Sequence, residues 1–480
     1  MGLSDAAFLR ITLERIAPAD IENRLALARL AIAEGTPRLA VFALQKIPAA
    51  QVSSSGAYHD LLGQTEHALG NPAGADTEFA EAVRLEPGNA TFRLNLNALR
   101  LSASDPTVAR HACEELEKLV SAGPAADGAL AALLADALAH GDAGRVQRFR
   151  QSLRRRPNRE LKFDLLCLAS EEGTPAFQKS LDSVCVKAGS KPGDAAMLIR
   201  WLTSHRLART AITWDAALSA KVRDVIAVRA AIADAYVSES DWAGLESFLA
   251  AQTWQEEDFV RRAILLRARS ASGKANLKVG WLTLMDEPAI GSPQLLALAD
   301  LARGWGCGAE EEAACWRVAG NGMPLRGEAL NRLWDIYLRA EKPSDLLRVA
   351  KARLSDSPDD IAARNNVAFL SLLLGRNEAG TVRLARENWS KAPRRTEVAA
   401  TYGYALLQGG RLEESLAVFQ GLKAGDRERP NVALYYALAL EKAGRRKEAS
   451  EFAAFVTGIG MLAEERKLLD QLHKNLSRGN

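Results

Sequence analysis

Side chains that could perform catalysis are present in this chain of 480 residues, but their spacing does not favour it. Neighbouring carboxylates, as in Asp359–Asp360 and Glu413–Glu414, could divide the roles of general acid and general base. Both pairs stand where helices are predicted to begin, and an acidic side chain there interacts favourably with the helix dipole. We therefore interpret them as helix-capping residues and predict no catalytic residue.

Metal and redox sites are disfavoured for similar reasons. A metal site needs three or four ligands at regular spacing, whereas His59 and His67, on one predicted helix, are separated by more than two turns. Cys307 and Cys315 could approach each other across a hairpin, so a redox pair stays open as the alternative to packed thiols. No cofactor and no metal are expected.

Composition and charge limit the function classes further. Hydrophobic residues make up 48% of the chain and charged residues 25%, which is enough apolar material for an extensive core. The formal net charge of only +3 excludes general electrostatic binding of nucleic acid or anionic lipid as the default function. The arginine run between Arg145 and Arg159 is interpreted as a solvated outer face, with a docking patch for an acidic partner or RNA as the alternative.

The chain shows no targeting or membrane-spanning pattern. Its first nine residues lack the basic and apolar segments of a secretory signal, and no stretch approaches the roughly 18 apolar residues of a membrane span. A cytoplasmic location is expected. A signal or anchor that had been removed would instead allow a periplasmic or membrane-attached location.

A pattern of large, small and turn residues recurs about every 34 residues. The unit that begins at Gly56 contains Leu62, Gly63, Gly70, Ala75, Phe79, Ala82 and Pro87. Small residues let two antiparallel helices approach closely, glycine turns the chain and proline stops the second helix. Similar units begin at Gly327, Ile361, Thr396 and Pro430.

The same spacing extends through the whole chain. Units are predicted to start near residues 21, 56, 90, 127, 159, 193, 226, 259, 291, 327, 361, 396 and 430. In the more degenerate middle, turns are predicted at Gly141, Gly173, Ser240 and Gly273. Apolar residues recur at helical rather than strand spacing, so no strand is predicted.

These units resemble the tetratricopeptide repeat (TPR) family, in which each repeat is a helix–turn–helix of 34 residues. The resemblance implies an all-α fold, an α-solenoid of about 13 TPR-like helical hairpins that forms a right-handed superhelix. Position four departs from the usual Trp and is His59, Ala399 or Ala433 in three units. The predicted divisions are a capping helix at 1–20, N-terminal TPR units at 21–126, degenerate TPR-like units at 127–326, C-terminal TPR units at 327–463 and a capping helix at 464–480.

The resemblance also implies where a partner would bind. In the family the first helix of each hairpin lines a concave groove that holds a peptide or a helix of another protein. Transferred to the C-terminal units, the groove positions are Asn331, Arg332, Asp335, Asn365, Asn366, Phe369, Thr401, Tyr404, Gln408 and Tyr435. Amides on successive helices could bind an extended backbone, and Phe369 and Tyr404 could anchor apolar side chains. A core position is the alternative for Phe369 and Tyr435.

One TPR subtype clamps a C-terminal carboxylate with basic residues and asparagines on three consecutive repeats. Arg332, Asn365 and Asn366 echo that arrangement, but Ala400 and Thr401 occupy the next unit where a basic residue is required. That subtype is therefore not expected.

The predicted function is a non-enzymatic protein–protein interaction scaffold that binds a peptide or partner protein in this groove. One alternative is an RNA-binding helical-repeat protein, although the charge balance makes nucleic acid a disfavoured partner. Another is the TPR portion of a larger membrane-anchored or secretion and assembly protein. Self-association through the terminal repeats is also possible.

Overall fold

A computed structural model describes residues 21–33, 37–45, 47–121, 123–320, 322–376, 379–456 and 461–477. In these ranges every regular element is a helix, which confirms the all-α prediction. The capping helix predicted at 1–20 lies outside the described residues.

Within the described ranges the longer helices form thirteen consecutive pairs followed by one further helix. We number the helices of hairpins 1 to 13 as α1 (Ile21–Ala33) and α2 (Pro37–Gln45), α3 (Gly56–Ala68) and α4 (Pro72–Leu85), α5 (Ala90–Arg100) and α6 (Pro106–Leu119), α7 (Ala126–Ala139) and α8 (Ala143–Arg154), α9 (Leu161–Ala169) and α10 (Phe177–Ala188), α11 (Pro192–Ser204) and α12 (Ala208–Asp215), α13 (Ile226–Ser238) and α14 (Trp242–Ala250), α15 (Asp258–Ala271) and α16 (Leu277–Met285), α17 (Ser292–Gly304) and α18 (Gly308–Val318), α19 (Arg326–Arg339) and α20 (Pro343–Asp356), α21 (Ile361–Leu373) and α22 (Ala379–Lys391), α23 (Thr396–Gln408) and α24 (Leu412–Gln420), and α25 (Pro430–Lys442) and α26 (Arg446–Ala453). The final helix is α27 (Ala463–Ser477). Each predicted unit start lies within two residues of the observed first helix, so the predicted number of about thirteen pairs is confirmed.

Short helical turns interrupt the connections between some hairpins. They are Ala49–Val52, Ala220–Arg223, Ala424–Arg427 and the 3-10 turn Gln255–Glu257.

The chain divides into two compact units, Met1–Leu277 and Lys278–Asn480. The division falls within the eighth helix pair and inside the segment 127–326 that was predicted to hold the degenerate repeats. Within each unit a helix contacts its hairpin partner and then a helix of the next hairpin, as α3, α4 and α5 do. Each unit is thus a solenoid of stacked hairpins, because a single hairpin cannot bury both of its apolar faces.

A left-handed backbone residue follows the first helix in most hairpins. The residues are Gly70, Gly141, Gly173, Arg206, Ser240, Gly273, Gly306, Glu341, Gly375, Gly410 and Gly444, all with φ between 52° and 80°. The four turns predicted in the middle of the chain are among them, so those predictions are confirmed. This conformation reverses the chain in few residues and costs glycine little, because glycine has no Cβ.

Several of the second helices begin at side-chain caps. Asn71 accepts a hydrogen bond from the backbone N–H of Gly74 at 3.1 Å, and Asp142 accepts one from Arg145 at 3.0 Å. Of the carboxylate pairs, Asp360 caps α21 through the N–H of Ala362 at 2.9 Å. These caps satisfy N–H groups that have no partner inside the helix.

Close packing between paired helices depends on the small residues of the repeat. A Cβ on Gly63 would lie 2.6 Å from the ring of Phe79, and a Cβ on Gly403 would lie equally close to Phe419. The rings fill the space that a larger residue would need. Deeply buried leucines, such as Leu130, continue this core along each unit.

Candidate functional site

Three aromatic rings from the successive first helices of hairpins 11 to 13 meet where these helices pack together. The ring centroids of Tyr404 and Tyr435 are 4.6 Å apart, and those of Phe369 and Tyr435 are 5.9 Å apart. Tyr435 is only 1% exposed and Tyr404 only 5%. The structure therefore brings these predicted groove residues together, but it places both tyrosines in the core of the C-terminal unit.

Helix α27 covers this aromatic cluster at its C-terminal end. The hydroxyl of Tyr435 donates a hydrogen bond to Glu465 Oε1 at 2.7 Å, and the N–H of Leu462 donates to Glu465 Oε2 at 3.0 Å. Burial raises the pKa of Tyr435 well above its ordinary value, and the nearby charge of Glu465 raises it further. Tyr435 is thus a neutral hydrogen-bond donor over the whole physiological range.

The predicted polar groove residues of hairpins 11 and 12 make mostly internal hydrogen bonds. Asn365 Nδ2 lies 3.5 Å from the carbonyl oxygen of Glu397, and the buried Asn365 Oδ1 has no hydrogen-bond partner. Thr401 donates to the same carbonyl at 2.9 Å, and Gln408 Nε2 donates to the carbonyl of Leu372 at 3.1 Å. Burial also raises the pKa of Tyr404, and a hydrogen bond with Gln408 opposes that change.

The four remaining predicted residues differ in exposure and in partners. Arg332 pairs with Asp300 at 2.7 Å and with Glu328 at 2.9 Å. Its positive charge is therefore balanced by acids of the same chain. Asn331 is exposed and accepts a hydrogen bond from Arg353 at 2.8 Å. Asp335 and Asn366 are half-buried. Among the predicted residues of hairpins 11 and 12, Asn366, Phe369 and Gln408 thus keep partial access to solvent.

A second polar cluster lies on the first helices of hairpins 1 to 3, and the sequence reasoning missed it. The carboxylate of Asp60 accepts hydrogen bonds from Gln64 Nε2 and from Asn95 Nδ2, both at 2.8 Å. Burial raises the pKa of Asp60, while the two amides and the charge of Arg29 act in the opposite direction. Arg29, Asp60, Gln64 and Asn95 occupy, in the units that begin at residues 21, 56 and 90, the same repeat positions as the groove residues predicted on the C-terminal units.

This cluster borders an open depression with a volume of about 670 Å³. Arg29, Gln64, Asn89 and Thr91 provide polar groups on its walls, and Ile32 and Leu61 are among its apolar residues. We call it the N-terminal depression. Its mixture of apolar surface with a few fixed polar groups is typical of a binding site for an organic or peptide ligand.

The arginine run is largely neutralised by acids on neighbouring helices. Six of its seven arginines form ion pairs, namely Arg145 with Asp136, Arg148 with Glu117, Arg150 and Arg154 with Glu171, Arg156 with Asp127 and Arg159 with Asp164. Glu171 is 2% exposed, so it needs both of its cationic partners. The run thus connects hairpins 3, 4 and 5, which weakens its interpretation as an RNA-binding surface.

The cysteines and histidines were also considered as reactive groups. All five cysteines lie among the described residues and none forms a disulfide. Burial raises the pKa of Cys315 to about 12, which makes its thiol unreactive at neutral pH. His59 contacts Glu78 across hairpin 2 at 2.7 Å.

The described part of the chain holds neither a cluster of metal ligands nor a membrane-spanning helix. No group of three or more ligating side chains there could hold a metal ion. None of the helices seen in this part is both long enough and apolar enough to cross a bilayer.

No protein-family model and no curated protein matches the chain. Similar solved structures include a tetratricopeptide repeat protein from Parabacteroides merdae, with 14% identity over 51% of this chain and 96% of that chain and a TM-score of 0.29. Others are the APC/C hetero-tetramer Cut9–Hcn1, with 11% identity over 98% and 96% and a TM-score of 0.29, and Naa15/Naa10 bound to HypK-THB, with 12% identity over 100% and 76% and a TM-score of 0.27.

The repeat geometry itself classifies the chain. Thirteen helix pairs begin where the 34-residue pattern places them, left-handed turns recur between paired helices, and small residues lie at the closest helix contacts. The described part of the protein is therefore an all-α helical-repeat structure, built from hairpins that recur about every 34 residues.

Proposed function

We propose that the protein is a non-enzymatic interaction scaffold that binds an extended peptide segment of a partner protein on the inner face of its repeats. The observation that carries this proposal is the N-terminal depression, where polar groups from three successive hairpins border one open surface. Repeats that stack side by side present such groups at regular intervals, which suits an extended ligand.

Asp60 acts here as a positioning residue. Its two oxygens each accept one amide N–H, so they hold Gln64 and Asn95 in fixed orientations. Gln64 keeps its carbonyl oxygen and its second N–H available to a ligand. These two groups match the alternating N–H and C=O groups of an extended peptide, and they would bind a backbone of any sequence.

Specificity would come from the other walls of the depression. Arg29 is exposed and supplies a cation for a carbonyl or carboxylate of the ligand. Ile32 and Ala57, which are half-buried, offer apolar surface for one side chain. Polar groups with fixed positions around a small apolar floor bind with less loss of entropy than mobile groups do.

The residues predicted on the C-terminal units form a second surface for the same proposed function. Asn366, Phe369 and Gln408 are its accessible members on hairpins 11 and 12. Tyr404, Tyr435 and Thr401 support that surface from beneath and would contact a partner only after a rearrangement.

Selection of a random peptide library on the full chain tests the proposal. Enriched peptides, made synthetically, are expected to bind the Arg29→Ala/Gln64→Ala variant at least about tenfold more weakly than the wild type, which corresponds to about 1.4 kcal/mol. In this variant Asp60 keeps its hydrogen bond from Asn95, so the fold is preserved. Gln178→Ala, on the exposed side of α10, is the matched control and is expected to bind normally.

Two results would contradict the proposal. Either no peptide is enriched above an unrelated protein, or every enriched peptide binds the double variant and an Asn366→Ala/Phe369→Ala variant as tightly as the wild type. Loss of binding in the second variant alone would place the site on the C-terminal units.

A further inference from the structure

Asp60 is a buried carboxylate in the wall of the N-terminal depression. Only 6% of the residue is exposed, yet it is among the residues that line the depression. Its Oδ2 atom accepts a hydrogen bond from Gln64 Nε2, and its Oδ1 atom accepts one from Asn95 Nδ2, each at 2.8 Å. Both oxygens are thus used by amide donors, one from the same helix and one from the next hairpin.

This pair of hydrogen bonds requires the ionised form of Asp60. An ionised carboxylate only accepts hydrogen bonds, whereas one oxygen of a protonated carboxyl group is a donor. The protonated group can keep one amide N–H, but its O–H group would face the N–H of the other amide. That second amide must then turn over, so that its carbonyl oxygen accepts the new hydrogen bond.

Gln64 is the amide that can turn over most easily. Its side chain has one more rotatable bond than that of Asn95, and it is half-buried at the open depression. Asn95 contacts Asp60 from α5, and the described residues that line the depression do not include it. Rotation of the Gln64 amide alone therefore satisfies a protonated Asp60 and moves no helix.

Few charged groups oppose the protonation of Asp60. Arg29 on α1 favours its ionised form through its positive charge, as the two amides do through their hydrogen bonds. Glu86, which follows α4, lines the same depression and is exposed. His59 on α3 and Arg93 on α5 contact glutamates of second helices instead. Burial outweighs these effects and raises the pKa of Asp60, so its protonation begins in mildly acidic solution.

We propose that Asp60 makes binding at the N-terminal depression dependent on pH: the site holds an extended peptide while Asp60 is ionised and releases it when Asp60 is protonated. With Asp60 ionised, Gln64 offers one carbonyl oxygen and one N–H to the peptide backbone. After the amide has turned over it offers two N–H groups and no acceptor, so an N–H of the peptide loses its partner. The inference rests on the proposed function and adds the regulation of the same site.

Fluorescence anisotropy between pH 7 and pH 4 on the full chain tests the inference. The probe is a rhodamine-labelled peptide with blocked ends, selected at pH 7 from a library without Asp, Glu or His, so that the peptide itself does not titrate. The wild type is expected to bind it at least about threefold more weakly at pH 4 than at pH 7. Asp60→Asn, which has the hydrogen-bonding groups of the protonated acid, is expected to bind at pH 7 at least about threefold more weakly than the wild type and equally at both pH values.

Asn95→Ala distinguishes the titration of Asp60 from a purely structural role. This change leaves the lining of the depression intact but removes a hydrogen bond that favours ionised Asp60. The midpoint of the binding curve should therefore move to higher pH. Asp182→Asn, on the exposed side of α10, is the matched control and is expected to bind as the wild type does at both pH values.

The inference is overturned if the wild type binds the probe equally tightly at pH 7 and pH 4, if Asp60→Asn keeps the pH dependence of the wild type, or if Asn95→Ala leaves the midpoint in place. It is also overturned if the helical circular dichroism of the wild type falls together with binding, because unfolding would then cause the release. Failure of the proposed function looks different: the selection at pH 7 then enriches no peptide, and the inference fails with it.

Discussion

Asp60 lowers the free energy of unfolding at neutral pH, but it also orients two neighbouring side chains. Because burial raises its pKa in the folded state, folding takes up a proton at pH values between the ordinary value of about 3.9 and the raised one. The contribution of Asp60 to the free energy of unfolding therefore falls as the pH rises through this window, and acid restores it. The folded protein accepts this cost at neutral pH because the carboxylate orients Gln64 and Asn95.

We expect Asp60→Asn to remove this pH dependence. The stability of the variant relative to the wild type should be higher at pH 7 than at pH 4, as urea denaturation at the two values would show. Asp182→Asn on the exposed side of α10 is the control. A relative stability of Asp60→Asn that stays constant between the two pH values would contradict the prediction.

At Gly403 the close packing of two helices leaves no room for the methyl group of an alanine. Alanine is the better helix former by about 1 kcal/mol, but its Cβ would lie 2.6 Å from the fully buried ring of Phe419. Overpacking of this kind costs about 1–3 kcal/mol and should dominate. We expect Gly403→Ala to lower the free energy of unfolding by up to about 2 kcal/mol, measured by chemical denaturation. Gly327→Ala, with no atom within 4 Å of the new Cβ, should be neutral or slightly stabilising, and a similar loss there would refute this explanation.

At the scale of the elements, the turns between paired helices share a left-handed backbone conformation, although different residues adopt it. Gly410 has φ of 74°, and Ser240 has φ of 55° at the corresponding turn of hairpin 7. A side chain in the left-handed region costs roughly 1 kcal/mol relative to glycine. We therefore expect Ser240→Gly to raise the thermal midpoint and Gly410→Ala to lower it. Shifts of the same sign in both variants would show that the turn conformation does not control stability.

In the whole molecule, each hairpin obtains its core from its neighbours. Leu133 of α7 is fully buried, and α7 contacts helices of hairpins 3, 4 and 5. Leu133→Ala should remove about 2–5 kcal/mol locally. In hydrogen-exchange mass spectrometry, faster exchange is expected in hairpins 3 to 5 and should diminish with distance along the unit. Equal acceleration in every helix from α1 to α15 would indicate that the unit unfolds as one cooperative body instead.

How far the molecule is predictable from its sequence depends on the range of the interactions. The helix pairs were predictable because turns such as Gly141 and close contacts such as that of Gly63 with Phe79 are local and recur with the repeat. For Tyr435 the sequence left a groove position and a core position open, because its hydrogen-bond partner Glu465 lies thirty residues later in a helix whose docking has no repeat pattern. Likewise, the arginine run predicted an outer face, but its neutralisation depends on acids such as Glu171 from other helices.

The contact between Phe369 and Tyr435 has a consequence for how disturbances spread through the C-terminal unit. These rings belong to hairpins 11 and 13, so two hairpins that are not sequential neighbours contact each other directly. In an array where each hairpin contacts only its sequential neighbours, hairpins 11 and 13 would influence each other only through hairpin 12. Here a substitution at Phe369 directly alters the packing of Tyr435, the residue that binds Glu465 of α27. We therefore expect hairpins 11, 12 and 13 to lose structure together.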